Sequence, residues 1–230
     1  MTAATALAAS PLWYASRAGG TVSLVLLTAT VALGIAIGGK ARPRRIGRFE
    51  IGLLHRNLAV LTLAFLTLHI ATAIIDPYVH LSWATAVVPF GASYRPLWLG
   101  LGTVALDLLL AVAITSALRL RIGQGGWKAV HWLAYAAWPV GLFHAVGTGS
   151  DTRLPLQLWL YAACLAAVAA AAGWRLYRAG PGHIAARLSA GLLVVAVPLL
   201  ATAFLAAGPL QPGWSHRAAA LSVTALGGIG

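Results

Sequence analysis

The feature that most constrains this chain is a series of six apolar stretches, each long enough to cross a lipid bilayer as a helix. A transmembrane helix needs about 20 predominantly apolar residues. Only 9% of the 230 residues are charged, whereas a soluble domain carries about 25%. The sequence therefore predicts an all-α, polytopic membrane helix bundle of about six transmembrane helices, with residues 1–230 forming a single transmembrane domain. The predicted spans lie near residues 14–38, 51–75, 97–118, 129–147, 156–174 and 189–207.

The basic residues predict how this bundle is oriented, because cytoplasmic loops of membrane proteins carry an excess of Lys and Arg. Twelve of the 16 basic residues lie in or beside the first, third and fifth breaks between spans: Lys40, Arg42, Arg44, Arg45, Arg48, Arg56, Arg119, Arg121, Lys128, Arg175, Arg178 and Arg187. The other four are Arg17, Arg95, Arg153 and Arg217. We therefore predict a multi-pass protein of the plasma membrane with both termini extracytoplasmic. This asymmetry explains the formal charge of +12, so nucleic acid is not a predicted partner.

Four of the seven histidines lie inside predicted spans, where ionisable side chains are costly and usually mark a function. His55 and His69 lie in the second span, and His131 and His144 lie in the fourth. One span separates these two, so they run in the same direction across the membrane. His55 and His131 are therefore predicted near the cytoplasmic end, and His69 and His144 near the outer end. Each depth holds one histidine from each helix.

The number of residues between the two histidines of each span determines how far apart they lie along a helix and whether they share a face. His55 and His69 are 14 residues apart, and His131 and His144 are 13 apart, which corresponds to about 21 Å and about 19.5 Å along a helix. Fourteen steps return to within roughly 40° of the start, whereas 13 steps leave His144 roughly 140° away from His131. Pro139 lies between the second pair and removes a backbone hydrogen bond, so we expect a kink or a change of register there.

Two histidines at one depth on facing helices can bind a haem iron from both sides. Imidazole is a standard axial haem ligand, and helix bundles commonly build cofactor sites from facing side chains. Two such depths predict two haems stacked across the membrane. Two alternatives stay open at this point. The first is that the histidines form polar contacts between helices, and the second is that they bind zinc, whose structural sites usually cluster four ligands.

The same residues carry a resemblance to a known family. The H-x13-H of "HRNLAVLTLAFLTLH" and the H-x12-H of "HWLAYAAWPVGLFH", on alternate helices, resemble the ferric reductase-like transmembrane domain. That family includes the haem domains of NADPH oxidases and metalloreductases and the haem subunit of a periplasmic methionine sulfoxide reductase system. The segments "SRAGGTVSLVLLTATVALGI", "VPFGASYRPLWLGLG" and "HAVGTGSD" are similar to its actinobacterial members. The resemblance covers residues 11–178, which leaves the span at 189–207 as an addition.

The resemblance implies a four-helix core that binds two haems b per chain, through His55 with His131 and His69 with His144. It also implies electron transport from a cytoplasmic-side donor to an extracytoplasmic acceptor, which could be ferric iron, oxygen, or a partner reductase or FMN protein. In oxidases and metalloreductases the last core helix leads into a flavin and nicotinamide domain, whereas residue 178 here leads into another span. The chain is therefore expected to be an oxidoreductase component with a separate donor, either a flavoprotein or membrane quinol.

Three further residues are candidates for supporting the cofactors. Arg56, beside His55, could pair with a haem propionate, since Arg pairs well with carboxylates, or it could be a positive-inside anchor. The family often uses an arginine at the position of Arg17 near the outer propionates, with a snorkelling side chain as the alternative. Trp138 follows His131 by seven residues, so it could fill the gap between the haems and aid electron tunnelling, or be a bulky core residue.

Two other residues inside predicted spans need an explanation. Asp107 lies in the third span, where we expect it to be protonated or to form a hydrogen bond to the bundle interior, with a proton relay as the alternative. Cys164, the single cysteine, is predicted to be a small core residue.

Two other functions stay open from the sequence. The first is a quinol-oxidising haem subunit that supplies electrons to a periplasmic reductase system. The second belongs to another class, a cofactor-free transporter or membrane scaffold, in which the histidines would hydrogen-bond between helices.

Overall fold

A computed structural model describes residues 10–38, 47–77, 81–149, 151–178 and 184–214. Within these ranges the chain is helical and has no β-strand, which confirms the predicted all-α bundle. A short 3₁₀ helix, Trp83–Ala86, lies between the second and third helices. The described residues form seven α-helices, which are α1 (Pro11–Gly38), α2 (Arg48–Ile75), α3 (Pro96–Ala117), α4 (Arg119–His131), α5 (Ala134–Thr148), α6 (Pro155–Arg178) and α7 (Ile184–Ala207).

Five of these helices, α1, α2, α3, α6 and α7, are long and apolar enough to cross a membrane. They match five of the six predicted spans to within a few residues. The predicted fourth span, at 129–147, is divided between the end of α4 and the 15-residue helix α5. His131 and His144 therefore lie on two successive helices, with the break before Ala134 and not at Pro139, where a kink or a change of register was expected.

The break between α4 and α5 is a tightened turn rather than a loop. The backbone N–H groups of Leu133, Tyr135 and Ala136 donate to carbonyl oxygens three residues earlier, at 2.9–3.0 Å. Trp132 and Leu133 keep right-handed helical backbone angles, so the chain continues in the same direction with 3₁₀ geometry. A 3₁₀ helix advances about 120° per residue instead of about 100°. The change of register that we expected at Pro139 is thus made in large part before α5 begins, while Pro139 lies inside α5.

The helices pack in pairs around a core that lies beside the histidines rather than between them. In the described helices α2 packs along α1, α5 packs against α3 and α1, α6 packs against α1, and α7 packs mainly against α6. Cys164 is buried among the core residues, which confirms its predicted place. The buried core consists of Leu24, Leu27, Val31, Ile35, Trp138, Leu142, Val146, Tyr161, Cys164, Leu165 and Ala201.

Polar contacts tie the predicted outer ends of the helices together. Ser10 Oγ donates to a carboxylate oxygen of Asp76 at 2.7 Å, which joins the start of α1 to the end of α2. Arg95 is buried before α3, and its guanidinium donates to the carbonyl oxygen of Thr148 at the end of α5, 3.0 Å away. A cation near a helix C-terminus is favourable because the helix dipole is negative there. The outer end of α1 is therefore tied to that of α2, and the outer end of α3 to that of α5.

Asp107 does not occupy the position predicted for it. It lies on an exposed part of α3 and makes no hydrogen bond to the described residues. Ala105 faces α5, where it lies against Gly141, and two further residues turn a helix by about 200°. That rotation directs Asp107 away from α5, so the expected hydrogen bond to the bundle interior is wrong.

Several residues used in the sequence-based prediction lie outside the described residues. They are Lys40, Arg42, Arg44, Arg45, His80, His183, His216 and Arg217.

The contact between Gly147 of α5 and the Trp98 indole of α3 predicts a site where added volume destabilises the fold. A Cβ at Gly147 would overlap the Trp98 ring, whereas a Cβ at Gly173 of α6 would meet no atom within 4 Å. We expect Gly147→Ala to lower the free energy of unfolding by about 1–3 kcal/mol, the usual cost of overpacking a core. The thermal unfolding midpoint in detergent measures this. Gly173→Ala is the control and should not lower the midpoint; equal midpoints for both variants would contradict the packing.

Candidate histidine layers

The four spanning histidines meet as two pairs, one at each predicted depth. The ring centroids of His55 and His131 are 6.3 Å apart, and those of His69 and His144 are also 6.3 Å apart. The ring planes cross at 62° and 71°. We call His55 and His131 the inner layer, and His69 and His144 the outer layer, after the predicted topology. The structure therefore brings together the same pairs that the sequence predicts.

The 3₁₀ turn between α4 and α5 accounts for the facing of both pairs. On a uniform α-helix His144 would lie roughly 140° away from His131. Each 3₁₀ residue adds about 20° to the rotation, so about four of them recover roughly 80° of that angle. Both imidazoles can then be directed at α2, where His55 and His69 share one face.

The distance between the paired rings fits a single metal ion placed between them. An imidazole nitrogen bonds a first-row metal at about 2 Å, and its ring centre lies about 1 Å further away, so two imidazoles on opposite sides of one metal have centroids about 6 Å apart. The observed 6.3 Å in both layers agrees with that spacing. Direct stacking of the two rings, or a hydrogen bond between them, would bring the centroids closer together or turn the ring nitrogens away from the space between the rings.

Three of the four imidazoles are oriented by a backbone carbonyl of the neighbouring helix. His55 Nδ1 lies 3.1 Å from the carbonyl oxygen of Thr30, and His69 Nδ1 lies 2.7 Å from that of Ser16. His144 Nδ1 lies 2.7 Å from the carbonyl oxygen of Trp98. A carbonyl only accepts, so each Nδ1 carries the proton and donates it. The Nε2 lone pair is then available to a metal, which is the usual second-shell arrangement for a metal-binding histidine.

A glycine lies behind each of these three rings, four residues after the carbonyl that accepts the hydrogen bond. The pairs are Ser16 with Gly20, Thr30 with Gly34, and Trp98 with Gly102. A Cβ would lie 3.0 Å from the His69 ring at Gly20, 3.2 Å from the His55 ring at Gly34, and 2.6 Å from the His144 ring at Gly102. In an α-helix the carbonyl of residue i points toward residue i+4. The missing side chain at i+4 therefore opens that carbonyl to an imidazole.

His131 is held differently from the other three histidines. Its Nδ1 is buried and has no hydrogen-bond partner among the described residues. No described glycine has His131 among its nearest neighbours. Its ring lies instead beside the indole of Trp127, one turn earlier on α4, with centroids 5.0 Å apart and an interplanar angle of 35°. The inner layer thus has one strongly positioned ring and one that rests on an aromatic side chain.

The supporting residues predicted from the sequence occupy mixed positions. Arg56 is exposed and makes no polar contact with the described residues. Arg17 forms an ion pair with Asp151, and its guanidinium lies 3.9 Å from the centroid of the Trp13 ring. Arg17 also directly follows Ser16, whose carbonyl oxygen receives the His69 hydrogen bond. Arg17 is therefore near the outer layer, while Arg56 lies at the surface beside the inner layer.

Trp138 is 4% exposed, and its Nε1 donates to the Thr28 hydroxyl on α1 at 2.9 Å. The hydroxyl in turn donates to the carbonyl oxygen of Leu24 at 2.7 Å. Trp138 therefore packs in the core shared by α1, α5 and α6. This position agrees with the alternative in which Trp138 is a bulky core residue. In sequence, Trp138 lies between His131 and His144.

The glycines are the site residues that sequence reasoning missed. Gly20 and Gly34 on α1 are 14 residues apart, as are His55 and His69 on α2. Because α1 and α2 are antiparallel neighbours, Gly20 meets His69 and Gly34 meets His55. This equal spacing was available in the sequence, but it becomes informative only when the two helices are known to pack together.

Each layer offers two protein ligands. Among the described residues no group of three or more His, Cys, Asp or Glu side chains could hold a metal ion. The other ligands of a metal ion held between two imidazoles would be supplied by water or by a cofactor. A porphyrin supplies four equatorial nitrogens and leaves two axial positions, so the donor set of each layer fits haem.

Comparison with known proteins identifies the family. No curated protein matches the chain, and no solved structure matches it either. The family model described as ferric reductase like transmembrane component matches residues 19–142, which is more than half of the chain. The match contains His55, His69 and His131 and ends two residues before His144. The chain belongs to the ferric reductase-like transmembrane family, whose members are generally haem-binding and whose usual role is transmembrane electron transfer.

Proposed function

We propose that this protein transfers electrons across the plasma membrane through two b-type haems, one in each histidine layer. The observation that supports this most strongly is the equal 6.3 Å separation of the rings in both layers. Family membership supports the same function. When bound, the two haems would supply one-electron carriers at two depths of the membrane.

The residues of the chain have separate roles in this proposal. His55 and His131 bind the inner haem, and His69 and His144 bind the outer one. The carbonyl acceptors of α1 and α3 fix the Nδ1 proton and leave Nε2 toward the iron. Trp138 lies between His131 and His144 in sequence, and its side chain, which is 4% exposed, excludes water from the core beside the two layers.

Two arginines are proposed to neutralise haem propionates. Arg17 directly follows Ser16, whose carbonyl oxygen receives the His69 hydrogen bond, so it lies near the outer layer. Arg56 directly follows His55 and has an exposed side chain, so it would pair with a propionate of a haem bound in the inner layer. Both roles rest on position and on the strength of Arg–carboxylate pairing.

The proposed direction is from a cytoplasmic-side donor to an extracytoplasmic acceptor. The donor is a separate flavoprotein or membrane quinol, and the acceptor is ferric iron, oxygen, or a partner reductase or FMN protein. Gly123, Gly125 and Gly126 fall within the bounds of α4, where the backbone at Gly123 is not helical. Among the described residues no strand precedes them, so they do not form the strand–turn–helix that binds a dinucleotide. A quinol donor with a periplasmic reductase as acceptor remains the narrower alternative.

The first prediction concerns haem content. The purified protein should contain about two haems per chain and show a bis-imidazole spectrum when reduced, because each layer offers two axial ligands. His69→Ala should remove about half of the haem and leave the inner one. Arg187→Ala, at the start of α7, is the control and should keep both. A colourless preparation from haem-replete cells would contradict the proposal and favour a cofactor-free transporter or scaffold.

The second prediction concerns the glycine behind His144. A methyl group at residue 102 would lie 2.6 Å from Cε1 and 2.7 Å from Nδ1 of that ring, so Gly102→Ala must displace the imidazole. We expect about tenfold weaker retention of the outer haem, the lower end of the usual effect of outer-shell changes. Gly52→Ala, in which the new Cβ meets no atom within 4 Å, is the matched control. Unchanged outer haem in Gly102→Ala would contradict the described contact.

The third prediction separates the two donors. The purified chain should not be reduced by NADH or NADPH alone, because the described residues contain no dinucleotide-binding strand–turn–helix. Spectra recorded after adding a quinol analogue test the quinol donor. Spectra of native membranes after adding a nicotinamide nucleotide test the flavoprotein. Direct reduction of the purified chain by NADH or NADPH would refute the separate donor.

A further inference from the structure

The inner layer contains the one spanning histidine whose ring is not positioned by a neighbouring helix. His55, His69 and His144 each have a carbonyl acceptor on Nδ1 and a glycine behind the ring. His131 has a buried Nδ1 without a hydrogen-bond partner in the described part of the chain. Three of the four histidines are thus held by a neighbouring helix, and His131 is not.

The hydrogen bond on Nδ1 affects how strongly a histidine binds a metal. It fixes the tautomer and the ring orientation, and it raises the basicity of Nε2. Loss of such a second-shell partner typically lowers metal affinity by about 10-fold to 100-fold. His131 starts without this partner, so its bond to a metal is weaker and its ring is less restricted than that of His55 across the layer.

Trp127 supplies the main contact that restricts the His131 ring. Residues i and i+4 lie on one face of a helix, and the two rings are 5.0 Å apart between centroids. The Trp127 Nε1 donates to the Ser116 hydroxyl of α3 at 3.2 Å, which fixes the indole from the other side. Trp132, beside His131 in sequence, is 62% exposed and contacts Tyr135 instead.

From this asymmetry, and resting on the proposed haem sites, we infer that His131 is the displaceable ligand of the inner layer and that Trp127 is the positioning residue that retains it. A small neutral ligand of ferrous iron can then take the position of His131. In that exchange the bond from iron to His131 Nε2 breaks and a bond from iron to the incoming ligand forms, with no change in the number of electrons. The outer layer, in which both rings are fixed by carbonyls, does not undergo the exchange.

Carbon monoxide is a suitable probe because it binds ferrous iron only where an axial position opens. The dithionite-reduced full-length protein is mixed with carbon monoxide, and the rate and amount of the difference spectrum are recorded. The parent protein should bind one carbon monoxide per two haems. Trp127→Ala should raise the rate about tenfold, in line with the loss of a positioning contact. Trp127→Phe, which keeps an aromatic ring beside His131, should restore a rate close to that of the parent.

Trp132→Ala is the matched control, because it removes a tryptophan next to His131 that does not contact its ring. The His69→Ala variant, which retains only the inner haem under the proposed function, should still bind carbon monoxide. If Trp127→Ala loses haem altogether, Trp127→Leu provides the same comparison with an apolar side chain that has no ring.

The inference is wrong if Trp127→Ala and Trp132→Ala bind carbon monoxide at equal rates, or if His69→Ala abolishes the binding. Those results would leave the proposed function intact, provided that two haems are present. Absence of haem from the parent protein would instead remove the proposed function itself, so the two failures give different observations.

Discussion

The histidine layers depend on one interaction, a hydrogen bond from an imidazole Nδ1 to a backbone carbonyl oxygen of a neighbouring α-helix. Such a carbonyl is normally covered by the side chain four residues later. Glycine at Gly20, Gly34 and Gly102 removes that cover. The bond costs no broken helix hydrogen bond, since a carbonyl oxygen has two lone pairs. In a membrane, where water is absent, this is an inexpensive way to fix a polar ring.

This interaction also explains why the bundle has its pairwise packing. α2 must lie close to α1 along its length so that both its histidines reach α1 carbonyls. α5 must lie equally close to α3 so that His144 reaches Trp98. Between α2 and α5 the rings stay 6.3 Å apart in each layer. The close packing of α2 on α1 and of α5 on α3 thus leaves room between the helices that carry the histidines.

Much of this arrangement could be predicted from the sequence. Apolar length located five spans, and the pairing of His55 with His131 and of His69 with His144 followed from depth and direction. The division of the fourth span could not be predicted, because Trp132 and Leu133 are compatible with either α or 3₁₀ geometry. The exposed position of Asp107 could not be predicted either, since it depends on which face of α3 packs against α5. The polar contacts of Asp76 and Asp151 depend on which loops meet at one end of the bundle.

The separation of His55, His69 and His144 from the glycines behind their rings has an evolutionary consequence. His69 and Gly20 lie on different helices and are 49 positions apart. The His69 ring nevertheless needs a glycine at that position of α1, because a side chain there would occupy its space. Shifting such a ligand by one turn would require a new opening to arise at the same time in another part of the gene. By contrast, a single substitution of the histidine or of its glycine is enough to disable the layer. Layers of this design are therefore easy to lose and hard to relocate, and descendants of such a chain should differ in how many layers they keep more readily than in where those layers stand.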